Sequence, residues 1–228
     1  MAKEFLTKVY SKIEYLYCKL NKYFESQGII LMFHHVTDEP VDIIECCKCK
    51  TNRFKEIIEE VKKNYDILAV DEIGKKHLRK YAIITFDDGC EDVFLNAYPF
   101  LKANDIPFVV YITSSWIDKE GYLSKNQLMI LDKDPLVTIG FHTTSHPQLR
   151  YVSNIKQEMI TGRGDLEKIL GHEVCHFAFP YGKLWSVGPM AVLLGLFSDY
   201  KTVMSTFDTH LSTFTLLFQR FLPRTIIM

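Results

Sequence analysis

Short apolar runs alternate with segments of helical period along most of this chain, and that alternation limits its fold more than any other feature. Residues 29–33 read as a buried strand, and 54–63 as a helix with Phe54, Ile57, Ile58 and Val61 turned inward. A further strand is expected over 66–70. Residues 81–86 are apolar except for Thr85, the pattern of a strand buried on both faces. Residues 92–104 read as a helix that Pro99 kinks or breaks. Strands are expected at 106–112, 136–141 and 175–179, with a helix over 155–170 that Gly171 is placed to end. This order argues for parallel strands joined by crossover helices. A chain of 228 residues can bury one sizeable core, and nothing in it demands a second. After Val187 the pattern weakens: 192–197 is apolar, and 221–228 could be a last strand.

The polar residues able to do chemistry fall just past the C-terminal ends of these runs: His34 and His35, Asp87 and Asp88, His142 and His146, Pro180 and Tyr181. In α/β barrels and open parallel sheets, active sites gather at that edge. Adjacent carboxylates repel, and a bound cation relieves one of them. Successive strand residues point apart, so one acid can hold a metal while the other handles protons. Gly89 lets the chain turn sharply after them. Alone, Asp87-Asp88-Gly89 is also an ordinary turn sequence. His142 and His146, four residues apart, are expected on one face of a helical turn, as in the zinc-binding helix of metalloproteases. Two imidazoles and one carboxylate leave a coordination position for water, as a catalytic zinc site does.

Thr85-Phe86-Asp87-Asp88-Gly89, His142-Thr143-Thr144-Ser145-His146 and Phe177-Ala178-Phe179-Pro180-Tyr181-Gly182 resemble the first three motifs of the polysaccharide deacetylases, the NodB-like family, in the family's order. Leu31-Met32-Phe33-His34-His35-Val36 resembles the segment that opens many members. The resemblance covers residues 29–182. It implies an α/β fold, a distorted (β/α)7 barrel, and metal-dependent hydrolytic removal of acetyl groups from an N-acetylated sugar. It implies a divalent metal ion, zinc first among candidates, held by Asp88, His142 and His146. Asp87 matches the catalytic base. Tyr181 matches the residue whose backbone N–H meets the developing oxyanion, with Pro180 shaping that wall of the substrate groove. Residues 1–26 are then an N-terminal helix, and 27–228 the deacetylase domain.

Two family features do not match. An arginine that orients the base usually stands two residues before the motif proline, where this chain has Ala178. Arg150, Arg220 and Arg224 are candidates to reach Asp87 instead, Arg224 first. The C-terminal leucine-x-histidine motif that supplies the general acid is not evident, and His210 is a loose substitute. One branch of the family takes this acid from a tyrosine-histidine pair near the N-terminus. Phe33-His34 resembles that pair, which assigns the role to His34. His35 reads as structural, His172 and His176 as surface or packing residues, and Trp116 and Trp185 as core rather than groove. Two other readings compete. Two histidines and a carboxylate also describe a non-haem iron(II) oxygenase, which the alternating pattern disfavours. A non-catalytic glycan-binding module on the same fold would explain the two departures, but not why both acids and both histidines persist.

Lys plus Arg number 27 and Asp plus Glu 28, so the chain lacks the basic excess of a protein that grips nucleic acid through phosphates. Cys46, Cys47 and Cys49 crowd together without a second pair at zinc-ribbon spacing, and read as thiols rather than a structural metal site. Such an unpaired cluster, and an N-terminus without an apolar signal-peptide run, lead to the expectation of a cytoplasmic protein. Phe5, Val9, Ile13, Leu16, Leu20 and Phe24 recur at helical spacing with Lys3, Lys8, Lys12, Lys19 and Lys22 between them. Such a helix either packs on the domain or makes a peripheral contact with a membrane surface.

Overall fold

The computed structural model describes residues 2–41, 47–217 and 220–227. Cys46 and Met228 lie outside them. Helix α1 (Ala2–Asn21) leads into β1 (Ser26–Phe33), the short pair β2 (His35–Val36) and β3 (Lys48–Cys49), and α2 (Thr51–Asn64). The chain continues through β4 (Asp66–Ile67), β5 (Tyr81–Phe86), α3 (Tyr98–Ala103), β6 (Phe108–Ile112), α4 (Lys125–Asp132) and β7 (Val137–Phe141). Then come α5 (Arg163–Leu170), β8 (His176–Ala178), α6 (Leu184–Phe197), β9 (Thr202–Met204), β10 (Leu211–Ser212), α7 (Thr213–Leu216), β11 (Arg220–Leu222) and β12 (Thr225–Ile226).

Strands β1, β5, β6, β7, β8 and β9 lie side by side, all parallel. β11 pairs with β9 and β12 with β1, again parallel. These two are one stave interrupted at Pro223 and Arg224, and together they nearly close a distorted barrel of seven parallel staves. The short β10 adds antiparallel to β1, and β4 parallel to β5.

Strand parity sorts the core into two layers. Ile30, Tyr81, Ile83, Val109, Tyr111, Met204 and Leu222 fill the barrel, while Leu31, Phe33, Ile84, Phe86, Val110 and Phe141 pack outward against the helices. Parity also aims the residues that follow. Asp87 continues the inward row of β5, and Arg224 the inward row of β11.

Several elements depart from the expectations. Of 66–70 only Asp66–Ile67 pairs as strand. The chain stays helical across Pro99: a π-helical stretch, Val93–Ala97, precedes α3 and absorbs the ring at its first turn. Residues 192–197 are the end of α6, broken at Gly188 (φ 76°), where a Cβ would press on Arg150. Gly171, at φ 81°, ends α5 as expected. The face α1 packs inward carries Tyr10, Glu14, Tyr17, Cys18 and Asn21, and the apolar stripe through Val9, Ile13, Leu16 and Leu20 faces solvent. Among the described residues no helix is long and apolar enough to cross a membrane.

Candidate active site

The mouth of the barrel is built from strand ends. Past β5, Asp87 hangs from β1 through its N–H to the Phe33 carbonyl (3.0 Å), and Asp88 then takes a left-handed conformation (φ 71°) followed by Gly89 (φ 76°). It is this pair of left-handed residues, not strand alternation, that sends the two carboxylates apart. Gly89 also lies against Ile112, whose Cδ1 would stand 3.0 Å from any Cβ there.

His142 and His146 do converge, but not through a helical turn. Residues 142–148 are loop, with Thr143 (φ 70°) and His146 (φ 56°) both left-handed. Glu158 supplies the hydrogen bonds a helix would have supplied internally. Its carboxylate accepts from the Thr144 and Ser145 N–H groups (3.0 and 2.9 Å) and from the Ser145 hydroxyl (2.8 Å). The His146 N–H donates to the Thr143 hydroxyl (3.0 Å). Left-handed non-glycine residues cost of order 1–3 kcal/mol each and cluster where function requires a fixed geometry. Asp88, Thr143, His146 and Tyr181 (φ 60°) form such a cluster.

Asp88 Oδ1 lies 3.4 Å from His142 Nε2 and 3.2 Å from His146 Nε2, and the three ligand atoms all fall within 4.8 Å of one another. His142 Nδ1 sits 2.8 Å from the Ala178 carbonyl. A carbonyl only accepts, so Nδ1 carries the proton and Nε2 presents a bare lone pair. Burial drives the His142 imidazole down to about 3 and that of His146 to about 4, so both are neutral. Burial, then the neighbouring Asp87, pushes Asp88 up to about 7. Asp88 Oδ1 is buried without a hydrogen-bond partner. Two neutral imidazoles and an orphaned carboxylate oxygen facing one point lack a positive charge, which a divalent cation would supply. The donor set suits zinc. Among the described residues this is the one group of three such side chains so placed, and the neighbourhood of Cys47 and Cys49 forms none.

Asp87 is 2% exposed. Burial works to protonate it, but the Arg224 charge, His142 and the Arg224 hydrogen bonds outweigh burial and hold it at about 2. Arg224 is itself fully buried and grips both oxygens, Nη1 to Oδ1 at 2.6 Å and Nη2 to Oδ2 at 2.7 Å. Its Nε donates to the Ser205 carbonyl, and Nη1 also reaches the Thr85 hydroxyl. Of the three candidate arginines, Arg224 therefore fills the place opposite Asp87. Arg150 lies over the Tyr10 ring, and Arg220 donates to Gly195 and Ser198.

His34 follows β1 into the mouth, within electrostatic reach of Asp87, Arg224 and His146. Its Nδ1 is buried without a partner, and burial lowers its pKa against the pull of Asp87. His35 points elsewhere: Nδ1 meets Asp92 at 2.6 Å and Nε2 the Cys90 thiol at 3.3 Å, bracing the turn after Gly89. His210 sits beside the start of β1, where Leu211 pairs with Gly28 and Asn21 donates to the His210 carbonyl, at the opposite end from the acids. Pro180 is buried, whereas Tyr181 is 48% exposed. The Tyr181 ring lies 5.0 Å from that of His146, and its carbonyl accepts from Thr206 (2.8 Å). Gly182 is needed there, because a Cβ would stand 2.4 Å from Thr206 Cγ2. Trp116, expected in the core, instead stands with its ring 5.0 Å from His146. Its position after β6 was the overlooked signal, since that strand end opens on the same mouth.

A parallel α/β barrel that gathers an acid-and-two-histidine cluster and an arginine-anchored carboxylate at the C-terminal ends of its strands carries them where such barrels place active sites. The profile of the polysaccharide deacetylases matches residues 74–188, half of the sequence, and the chain belongs to that family. YxkH of Bacillus subtilis, assigned by name as a polysaccharide deacetylase, is 25% identical over 111 residues, 48% of this chain and 39% of YxkH. Solved structures share the fold. A polysaccharide deacetylase from Bacillus cereus superposes with a TM-score of 0.75 at 21% identity over 90% of this chain and 66% of that one. The Streptococcus pyogenes deacetylase PplD gives 0.74 at 19% identity, over 88% and 92%. The chain thus spans less than half of YxkH and about two thirds of the Bacillus cereus chain.

Proposed function

We propose that this chain hydrolyses the acetamide of an N-acetylated sugar, in a polysaccharide, an oligosaccharide or a lipid-linked glycan precursor, with a divalent metal ion, zinc by preference, held by Asp88, His142 and His146. The observation that carries the reading is the orphaned Asp88 Oδ1 between the Nε2 atoms of His142 and His146, beside an ionised Asp87. A bound ion would supply Lewis acidity, lowering the pKa of its water and polarising the acetyl carbonyl.

The remaining work falls to the chain's own residues. Asp87, kept ionised by Arg224, accepts the proton of the attacking water. A base held at about 2 is weak, but it stays ionised well below neutral pH. The Tyr181 N–H donates to the developing oxyanion; losing one such donor typically costs about 10²–10³ in rate. His34 delivers a proton to the departing sugar amine: burial makes its imidazolium a stronger acid, and the neighbouring Asp87 charge favours the protonated form that the step needs. Tyr181 and Trp116 offer aromatic faces to a sugar ring, with Pro180 behind Tyr181. The fit of Arg224 to Asp87 answers one of the two departures that favour a binding-only module.

Acetate release from a panel of N-acetylated oligosaccharides, with zinc supplied, tests the reading. Asp87→Asn should abolish release, and His34→Ala should lower it by about 10²–10⁴, the usual worth of general acid–base catalysis. Full activity in Asp87→Asn would overturn the assignment of the base. Full activity in His34→Ala would place the acid elsewhere.

A further inference from the structure

The stripe that α1 turns outward is a large unpartnered apolar surface. Leu6, Val9, Ile13, Leu16 and Leu20 are between 38% and 52% exposed. The face beneath them does the packing with polar and aromatic groups: Glu14 accepts from the Leu184 N–H, Asn21 donates to Thr209 and His210, and Tyr10 lies 4.8 Å under the Arg150 guanidinium. Packing among the described residues therefore does not account for the stripe. It continues across a groove lined by Ile13, Val192, Leu196 and Phe214 to the outer side of α6, where Met190, Leu193 and Phe197 are exposed. An apolar expanse of this extent marks a contact with something else.

Charge says what that is. Lys8, Lys12 and Lys19 each precede a residue of the stripe, Val9, Ile13 or Leu20, and form an exposed row along its flank away from the barrel. Outside the packed face the described helix carries one acid, Glu4, paired with Lys8 at 3.3 Å. An apolar band edged by lysines is the pattern of a helix lying in a lipid headgroup layer. A second copy of the chain is a poorer occupant, because an antiparallel two-fold pairing of the stripe sets the lysine row against itself.

We propose that this face of α1 and α6 docks on an anionic lipid bilayer, with the stripe entering the headgroup boundary and the lysine row meeting lipid phosphates. Tyr10 and Glu14 touch Arg150 and Leu184, which follow the two histidines and Tyr181 in the chain, so the N-terminal half of the docking face lies toward the loops of the barrel mouth, while Asn21, bonded to His210, lies toward the other end. Resting on the deacetylase reading, that position suits a glycan carried on a lipid.

Co-sedimentation of the full chain with phosphatidylcholine vesicles, with and without phosphatidylglycerol, tests the proposal, with acetate release from a soluble oligosaccharide measured in parallel. Partitioning onto the anionic vesicles is expected, weakened by salt. Leu16→Glu should lower it at least about ten-fold. Lys8→Gln, Lys12→Gln and Lys19→Gln should each lower it about five-fold on anionic vesicles alone. All four side chains are solvent-exposed, so neither folding nor soluble activity should change. No partitioning, or partitioning indifferent to these substitutions, overturns the proposal. A dimer that Leu16→Glu dissociates, without vesicle binding, would show that a second copy covers the face. Vesicle binding without acetate release from any substrate would instead sink the enzymatic reading and leave this one standing.

Discussion

At Asp87 two requirements conflict, because burial favours the protonated acid while a proton acceptor must be ionised. Arg224 resolves the conflict with a bidentate pair sealed from solvent. Breaking a buried pair by removing one partner costs about 3–5 kcal/mol, since the other charge stays buried. Arg224→Met should therefore lower unfolding stability in urea by about that amount and leave only a small residual acetate release. The pH dependence has a definite sign. Asp87 titrates below the usual carboxylate range, so the pair stabilises the fold above that range, and the contribution is lost as pH falls toward about 2. Without the guanidinium, burial is left to raise Asp87. The acidic limb of residual activity should then move to higher pH in Arg224→Met, and back toward the original position in Arg224→Lys, which restores the charge but not the fork. An unmoved limb would detach Arg224 from the base. From the sequence, the need for a cation near Asp87 was legible once Ala178 was seen in the motif. What selects Arg224 over Arg150 and Arg220 is strand parity in the closing stave, and that appears only when the barrel is closed.

Elements explain both what was readable and what was misread. The strands at 81–86 and 106–112 showed in the sequence because burial on both faces leaves runs with almost no polar residue. The closing stave showed less clearly: 221–228 reads as a last strand, but Pro223 and Arg224 interrupt it and each half pairs over only two or three residues. The spacing of His142 and His146 was read correctly as convergence and wrongly as helix. Nothing in Thr143 or His146 as residue types announces a left-handed backbone; the turn is imposed by Glu158, thirteen residues after Ser145. Glu158 is thus an outer support of the two histidines proposed as ligands, and such supports commonly carry about 10–100-fold in metal affinity. Glu158→Ala should weaken zinc binding by about that factor in competition with a chelating dye, while Glu158→Gln, which keeps one acceptor oxygen, should lose less. Unchanged affinity in Glu158→Ala would mean that the loop holds its shape without the carboxylate.

At the scale of the molecule one clamp crosses the barrel mouth, and a bound ion would add a second. The closing stave meets β1 at only Leu31↔Thr225 and Met32↔Ile226, with one further bond from the Ile227 N–H to the Met32 carbonyl, so its ladder there is thin. The Arg224–Asp87 pair ties that stave to β5 from inside. An ion between Asp88, His142 and His146 would tie the end of β5 to the end of β7, across the intervening β6. Without it, Asp88 Oδ1 remains a buried acceptor with no donor, a penalty of about 1–3 kcal/mol in the folded state alone. An ion that binds the folded chain and not the unfolded one adds about 2.7 kcal/mol at a hundred-fold excess over its Kd. For a domain of this size that corresponds to a rise in Tm of roughly 5–10 °C. Chelator should therefore lower the Tm of the wild-type chain and zinc restore it. Asp88→Asn, which removes both the ligand charge and the buried anion, should show a Tm indifferent to zinc. If zinc leaves the wild-type Tm unmoved, or still raises that of Asp88→Asn, the ion is not held between these strand ends and the hydrolytic reading loses its water.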